Sequence, residues 1–513
     1  MISALILISI IALWFISQIK SSLFWIYLWQ LKNYHIGRFK DHFRTKKGRE
    51  IFFNFFFLSK IFTLILFVLG WFTFLPLVFL ILDGVLSLYK VVRQKFNCPI
   101  FTKKTILLFS LSVLALMVIF RNISFINLYD FSAKLLLVNV LLPLIISSVV
   151  LLFQPITVAL RYRILNKAKK KRRSLKNLTV IGITGSYGKS STKEFLYTIL
   201  TSHYSGVKET PENKNSEMGI SNYILNELNE KDRYFICEMG AYNKGGIKLL
   251  CDIADPQIGI LTGINNQHLS TFGSQENIVK TKFELIEYVK SFSIVNWDNY
   301  LIKNNKQFNS YKYSYLEKQD IYAENLKIFK DHIEFNVCLK TGEKEFFKAN
   351  VLGGHNVSNL LGAIFVAYKL GMTLPEIKKG VEKITSNQGG MTLFKNYIDA
   401  TYSSNANGII AHLNFLTLWK GKRVIVMPCL IELQKESKRI HREIGKKIAE
   451  VCDLAVITSS DCLKELKEGG GDKIIFENNS EKIFGILKKY DKKDDIILLE
   501  SRVPLELIKK IKK

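Results

Sequence analysis

Thr184-Gly185-Ser186-Tyr187-Gly188-Lys189-Ser190-Ser191 decides how this chain is read. An apolar, β-branched run over 179–184 enters it as a strand, and an amphipathic helical pattern leaves it after Gly188. Gly185 and Gly188 let backbone amides of the loop, through Ser186 and Tyr187, face a phosphate. Lys189 sets a cation against its oxygens, the Ser190 hydroxyl can ligate Mg²⁺, and Ser191 continues into the helix. The spacing departs from the standard phosphate loop, because Ile183 and not glycine stands five residues before Gly188. The bland alternative is an ordinary turn. A strand on one side and a helix on the other favour nucleotide binding.

Working outward, strand-like runs recur at 234–238, 258–261 and 293–296, with a helix over about 276–289. A β-rich stretch spans 321–351, and a helix pair spans 355–384. Residues 392–513 again alternate strands (423–427, 454–458, 496–500) with helices, as a small Rossmann-like domain does. The expected organisation is a membrane helical region over 1–160 and a basic linker over 161–177. An α/β nucleotide-binding domain over 178–388 and an α/β C-terminal domain over 389–513 follow.

The front third is of another kind. Of the 513 residues, 48% are hydrophobic and the formal net charge is +28, yet residues 1–178 hold 25 Lys and Arg against 4 Asp and Glu. That +21 coincides with long apolar runs, which excludes a disordered chain and argues against nucleic acid as the partner. Seven scattered cysteines without a CxxC pair argue against a disulfide framework or a zinc site and for a reducing compartment. The run 2–19, closed by Lys20, reads as one span. The run 51–89 is too long for one crossing and reads as a hairpin bending near Gly70, with Pro76 beyond. Residues 105–120 and 135–155 supply two more. Five spans place the basic clusters at 38–49, 93–104 and 161–176 on the cytoplasmic side, with the N-terminus outside; four spans are the alternative. Residues 21–40 read as an interfacial helix, and 167–173 as a juxtamembrane stretch facing anionic lipid. Lys60 and Asp83 fall inside the hairpin and are expected to snorkel to the interfaces rather than mark an ion path.

The loop's neighbours repeat a known order of motifs: Thr210-Pro211 with Asn213, Asn215, Glu217 and Gly219; Glu238-Met239-Gly240; His268-Leu269; Phe272-Gly273-Ser274 through Lys282 and Glu284; and Gly353 with His355-Asn356 and Asn359. Over about residues 178–505 the chain resembles the Mur ligase family, and within it the D-alanyl-D-alanine-adding branch. The resemblance implies an ATP-binding central domain and a C-terminal domain that closes over ATP and presents an amine. It implies ATP with two Mg²⁺ ions as cofactors, and a cell-wall precursor and an amino-acid or dipeptide amine as substrates. Joining a carboxylate to an amine requires a leaving group, which ATP supplies as an acyl phosphate. On that chemistry Lys189 clamps phosphate, Glu238 and Ser190 hold one Mg²⁺, and His268 helps to hold a second. An unpaired buried Glu238 would be costly, and a metal gives it a partner. The resemblance further implies that Lys282 is carbamylated and ligates the second ion; the ordinary reading is a solvated lysine beside Glu284. It places Asn356 and Asn359 on the adenine side, where helix capping by His355 or Asn356 is the ordinary reading. It places Asn213, Asn215 and Glu217 in a substrate-side loop, and Asp399 near the ribose.

The match weakens towards the C-terminus. Ala400, Ser403 and Ala406 stand where the pattern around Asp399, Tyr402 and Asn405 has aspartate, asparagine and proline. Gly390 replaces an arginine, and the Gly-Asp-Met-x-Glu-Leu-Gly stretch becomes Pro428-Cys429-Leu430-Ile431-Glu432-Leu433-Gln434. Lys-Gly-Ser-Arg becomes Leu499-Glu500-Ser501-Arg502, while His441 and Gly445 match. The usual first domain, which binds the uridine diphosphate of the substrate, is replaced by membrane spans. The expectation is a multi-pass membrane ligase with cytoplasmic catalytic domains, acting on a nucleotide- or lipid-linked acyl substrate. A nucleotide-binding scaffold with weakened catalysis is the alternative, and an ATP-driven transporter a third reading.

Overall fold

The computed structural model describes residues 2–512 apart from 33, 35, 44–45, 267–268, 306–307, 403–404 and 432. It divides into two compact units, Met1–Leu160 and Arg161–Lys513.

The first unit contains five apolar helices: Ile2–Leu31, Phe55–Val68, Leu75–Val92, Lys103–Arg121 and Leu128–Leu152. Where a break after Lys20 and an interfacial segment over 21–40 were expected, the first helix continues to Leu31. The reason is packing: Trp25, Ile26, Leu28 and Trp29 are buried in the bundle core, and Lys20 Nζ donates to Ser87 Oγ at 2.9 Å. The hairpin forms, but its first arm is short. Asn54 caps Phe55–Val68 by accepting from the Phe57 amide, and Gly70 at φ 76° ends it. Its 14 residues span about 21 Å, less than the roughly 30 Å of a bilayer core. Among the described residues, four helices are long and apolar enough to cross a membrane, where five spans were expected.

Lys60 and Asp83 do not snorkel. Both are buried and form an ion pair at 2.9 Å. Asn139 Nδ2 donates to Asp83 Oδ2 at 2.8 Å and the Ser17 hydroxyl donates to the same oxygen. Four helices thus meet at one carboxylate, because in apolar surroundings each charge finds its cheapest partner in the other.

In the second unit, β1 (Thr179–Thr184), β2 (Val207–Glu209), β3 (Tyr234–Glu238), β4 (Ile258–Leu261), β5 (Phe292–Asn296), β6 (Tyr311–Ser314), β7 (Ile321–Ile328), β8 (Ile333–Leu339) and β9 (Lys344–Ala349) form one sheet. Their order is β2-β3-β1-β4-β5-β6-β7-β8-β9, parallel from β2 to β7 and antiparallel beyond. The register pairs Ile183 with Glu238 and Thr184 with Leu261, so β1, β3 and β4 end together at one carboxyl edge. Helix His355–Lys369 is buried at every position from Asn356 to Ala367, which explains its apolarity all round. A second sheet contains β10 (Thr392–Phe394), β11 (Tyr397–Ala400), β12 (Arg423–Met427), β13 (Leu454–Ile457), β14 (Ile474–Phe476) and β15 (Ile496–Glu500). Its order is β10-β11-β15-β12-β13-β14, with only β10 antiparallel, a Rossmann-like arrangement.

The basic run 167–173 is helical, within Gln154–Ser174. Arg172, expected to face lipid, is buried instead: its guanidinium donates to the carbonyls of Ala254, Leu175 and Leu178 at 2.9–3.1 Å. Lys171 likewise donates to the Leu225 carbonyl at 2.8 Å. These two cations serve the α/β unit, and Lys167, Lys170 and Arg173 stay exposed.

Candidate active site

The loop after β1 turns on its two glycines. Gly185 (φ 157°) and Gly188 (φ 78°) sit where a Cβ would collide with Thr262 Oγ1 and Asn359 Oδ1 respectively. Helix Lys189–Thr201 then begins with its free amides at the loop, an anion-binding arrangement. Ser186 is held by its amide on the Gly263 carbonyl at 2.6 Å, and its Oγ accepts from the Asn265 amide at 3.2 Å. Thr262 Oγ1 donates to the Tyr187 carbonyl at 2.5 Å, and Asn299 Nδ2 donates to the Tyr187 hydroxyl at 2.9 Å. Lys189 folds back on its own loop, Nζ donating to the Gly185 carbonyl at 3.0 Å. Burial lowers its pKa and the Glu238 charge partly restores it. The Ser191 side chain lies beside Gly390, whose Cβ would stand 3.9 Å from Ser191 Oγ.

Glu238 ends β3 facing this loop. Ser190 Oγ donates to its Oε2 at 2.9 Å and Asn215 Nδ2 donates to its Oε1 at 2.8 Å. The Glu238 amide donates to Thr210 Oγ1, and buried Lys193 donates to the Thr210 carbonyl at 2.8 Å. Both carboxylate oxygens are therefore oriented by short polar donors, with Ser190 standing beside the loop lysine. Among the described residues no group of three His, Cys, Asp or Glu side chains is set to hold a metal by itself. A carboxylate and a hydroxyl next to a phosphate cradle nevertheless fit a Mg²⁺ that takes its other ligands from phosphate and water. His268 lies outside the described residues.

Lys282 is not a solvated lysine. It is 4% exposed on helix Gln275–Tyr288, and its pKa is lowered to about 7 by burial and by the Lys189 charge, against the opposing charge of Glu284. Glu284, expected beside it, instead accepts the amides of Gly245 and Lys248 at 2.9 and 2.8 Å and caps the earlier helix Gly246–Ala254.

The two asparagines form a relay. Asn356 Nδ2 donates to the carbonyls of Leu352 and Gly389, and Asn359 Nδ2 donates to Asn356 Oδ1 at 3.0 Å. Asn359 Oδ1 then faces Gly188 and Thr192. Neither caps its helix through its side chain; Gly354 is the N-cap. Of the 213–217 loop, only Asn215 touches Glu238. Asn213 is exposed at φ 61°, and Glu217 pairs with Arg161 at 3.5 Å. Asp399 is engaged elsewhere: it accepts from Thr401 Oγ1 at 2.6 Å and from Lys512 Nζ at 2.9 Å. Burial works to raise its pKa, but these donors hold it below the usual carboxylate value. The C-terminal residue that does reach the loop is Tyr402, whose hydroxyl lies 3.4 Å from Ser190 Oγ. Beside the loop a cleft of about 510 Å³ opens between Tyr187, Asn299, Asn405, Leu430 and Ile444. Sequence reasoning missed Asn299 and Lys193. The signal for Lys193 was its place one helical turn after Lys189; Asn299 offered none.

Residues 183–367 match the family model of the Mur ligase middle domain. The central segment is a Mur ligase domain. The chain is 30% identical over 287 residues to a UDP-N-acetylmuramoyl-tripeptide–D-alanyl-D-alanine ligase of Synechocystis, covering 53% of this chain and 59% of that relative. It is 25% identical over 342 residues to the Bacillus subtilis ligase of the same name, covering 64% and 74%. MurF of Thermotoga maritima, solved in complex with ADP, aligns at TM-score 0.59 and 26% identity over 67% of this chain and 83% of its own. MurF of Acinetobacter baumannii aligns at TM-score 0.62 and 24% identity over 68% and 80%, a likeness of fold. The chain thus spans about three fifths of the first relative's length.

Proposed function

We propose that the protein is a membrane-anchored, ATP- and Mg²⁺-dependent ligase that forms an amide bond on a cell-envelope precursor, with its α/β domains in the cytoplasm. The observation that carries this is the meeting of Lys189, Ser190, Glu238 and Asn215 at one sheet edge, beside two glycines that leave room only for backbone. Bound ATP would supply the phosphoryl group that activates a substrate carboxylate, and Mg²⁺ the charge that balances the polyphosphate. The loop amides and Lys189 bind and orient the phosphates. Ser190 and Glu238 hold one Mg²⁺, and Asn215 fixes the second oxygen of Glu238. Lys282, with a pKa near neutrality, has an amine free to take up carbon dioxide, and as a carbamate it joins His268 in holding a second ion. The Asn356–Asn359 pair supports the adenine side. Asp399 meets the ribose once Lys512 releases it. Asn213, Asn215 and Glu217 line the approach of the acyl substrate, and the amine enters by the cleft at Leu430.

Membrane anchoring is supported by the four long apolar helices, whose outer faces expose Leu82, Val85, Leu86, Val118 and Leu144. The basic clusters at 93–104 and 161–176, which four crossings place on one side, orient the α/β unit towards the cytoplasm. A lipid-linked acyl substrate is supported by the same apolar helices, which would hold the α/β unit at the surface where such a substrate lies.

Phosphate release by the purified full chain, with ATP, Mg²⁺ and pairs of lipid- or nucleotide-linked peptides and amines, tests the reading. Release that requires both acyl donor and amine supports it. Nucleotide binding without turnover for any pair turns it towards the scaffold. A reporter fused after Lys176 should read cytoplasmic.

A further inference from the structure

The seven cysteines, scattered in sequence, are all free. The fold brings two of them together away from the phosphate loop. Cys429 follows β12 and Cys462 follows β13, and these strands are parallel neighbours, so both residues lie beyond the same carboxyl edge. The Cys462 amide donates to Cys429 Sγ at 3.3 Å. The Cys429 amide is held by Ser459 Oγ at 2.8 Å. Ser437 Oγ lies 3.2 Å from Cys462 Sγ and 3.3 Å from His441 Nδ1. His441 Nε2 in turn accepts the amide of Leu430, the residue after Cys429, at 2.9 Å. Donation to the Cys429 sulfur favours its thiolate, and its pKa is lowered to about 7. Burial raises the thiols of Cys98, Cys237, Cys251, Cys338 and Cys452 instead.

We infer that Cys429 and Cys462 are a redox-active dithiol that closes to a disulfide on exchange with low-molecular-weight disulfides and, in doing so, moves the wall of the cleft beside the phosphate loop. In the exchange one sulfur of the pair displaces a thiol from the reagent disulfide, and the second sulfur displaces the other half. One S–S bond is broken and one formed. The two electrons and two protons of the dithiol leave on the two released thiols. Cys462 is partly exposed and admits the reagent, while Cys429 supplies the thiolate. Closure draws the Cys462 sulfur off Ser437, the residue that also meets His441. The backbone tied to His441 is Leu430, and Leu430, Ile431 and Leu433 line the cleft. Cys429 is also the position at which the Mur ligase pattern has an aspartate, so the device belongs to this chain and not to the fold.

The test uses the full chain in detergent, reduced, desalted and then incubated with glutathione disulfide before acid quench and maleimide labelling. Peptide mapping should show 429 and 462 linked to each other and the other five cysteines labelled, with Cys462→Ser giving glutathionylated Cys429 instead. Both cysteines labelled as free thiols, or either linked to a different cysteine, overturns the proposal. The oxidised chain should turn over ATP at least about fivefold more slowly, with recovery on reduction. Equal rates in the two forms overturn the coupling to the cleft. The mapping needs no variant, so misfolding of Cys429→Ser leaves it intact. Absence of turnover in the reduced chain defeats the ligase reading, and the mapped disulfide then decides this proposal alone.

Discussion

Two regions of the molecule bury a lysine, and they treat it oppositely. In the helical unit Lys60 sits against Asp83 at 2.9 Å, with Asn139 and Ser17 completing the carboxylate's shell. In the α/β unit Lys282 is equally buried, but the larger charge effect on it comes from another cation, Lys189, and Glu284, whose charge opposes it, is engaged in capping a helix. The first arrangement is electrostatically closed and has nothing left to bind. The second is only partly balanced: burial and Lys189 push the lysine towards its neutral form, and the charge of Glu284 only opposes that. A compensated buried charge is a structural element, whereas a poorly compensated one marks chemistry.

The largest effect should come from breaking the closed pair. Asp83→Asn leaves the Lys60 ammonium without its anion and should destabilise the helical unit by about 3–5 kcal/mol. Thermal unfolding in detergent reads this. Replacing both residues by apolar ones of similar volume should restore most of the loss; if the double variant is as unstable as the single one, the pair is more than mutual compensation. In the α/β unit, Lys189→Ala removes the cation aimed at phosphate. It should lower ATP turnover at least about a hundredfold, close to 3 kcal/mol, with little change in melting temperature. Full retained activity would sink the site assignment.

Lys282 gives a test by pH. Its folded pKa, about 7, lies below the ordinary 10.5, so between those values the unfolded chain binds a proton that the folded chain does not. Stability from this group therefore rises with pH across that window, and the full penalty applies below pH 7. The gain should be about 2–3 kcal/mol between pH 7 and about pH 9 relative to Lys282→Met, whose profile should lack this component. Parallel profiles would mean that Lys282 is compensated in solution, and the contrast with Lys60 would fail. Asn215→Ala, which frees one oxygen of Glu238, should raise the Mg²⁺ concentration for half-maximal turnover about tenfold.

The same contrast explains what was legible in the sequence. Strands β1, β3, β4, β12 and β15 fall where their apolar runs predict, because central parallel strands are buried on both faces and read as unbroken β-branched stretches. The short β2, β6, β10 and β14 were not seen, since three or four residues carry no period. The phosphate loop and Glu238 were legible because local chain direction places them. The state of Lys282 was not, because its burial depends on Phe272 and other residues distant from its own turn. Nor was the Lys60–Asp83 pair, whose members are 23 residues apart with a hairpin turn between them. The break expected at Lys20 failed for a related reason. A lone charge looks like the end of an apolar run until Ser87 on a neighbouring helix accepts its hydrogen bond.

The smallest expected effect sharpens how open the phosphate site is. At Gly390 the Mur ligase pattern has an arginine, and here the backbone is left-handed at φ 79° with Ser191 Oγ next to the space a side chain would enter. Gly390→Arg should lower stability by about 1 kcal/mol, since a non-glycine residue is strained at that φ, although no atom stands within 3.9 Å of its Cβ. The guanidinium would start beside the phosphate loop and add a bidentate donor to it. If the site lacks anion-binding charge, the variant should show a lower KM for ATP in spite of its lower melting temperature. If Lys189 and the loop amides already supply all the anion-binding capacity the phosphates need, a further cation raises repulsion in the free site without a matching gain in the complex, and KM should not fall. The direction of that one constant tells whether the loss of the arginine weakened the site or was absorbed by Lys189 and the loop amides.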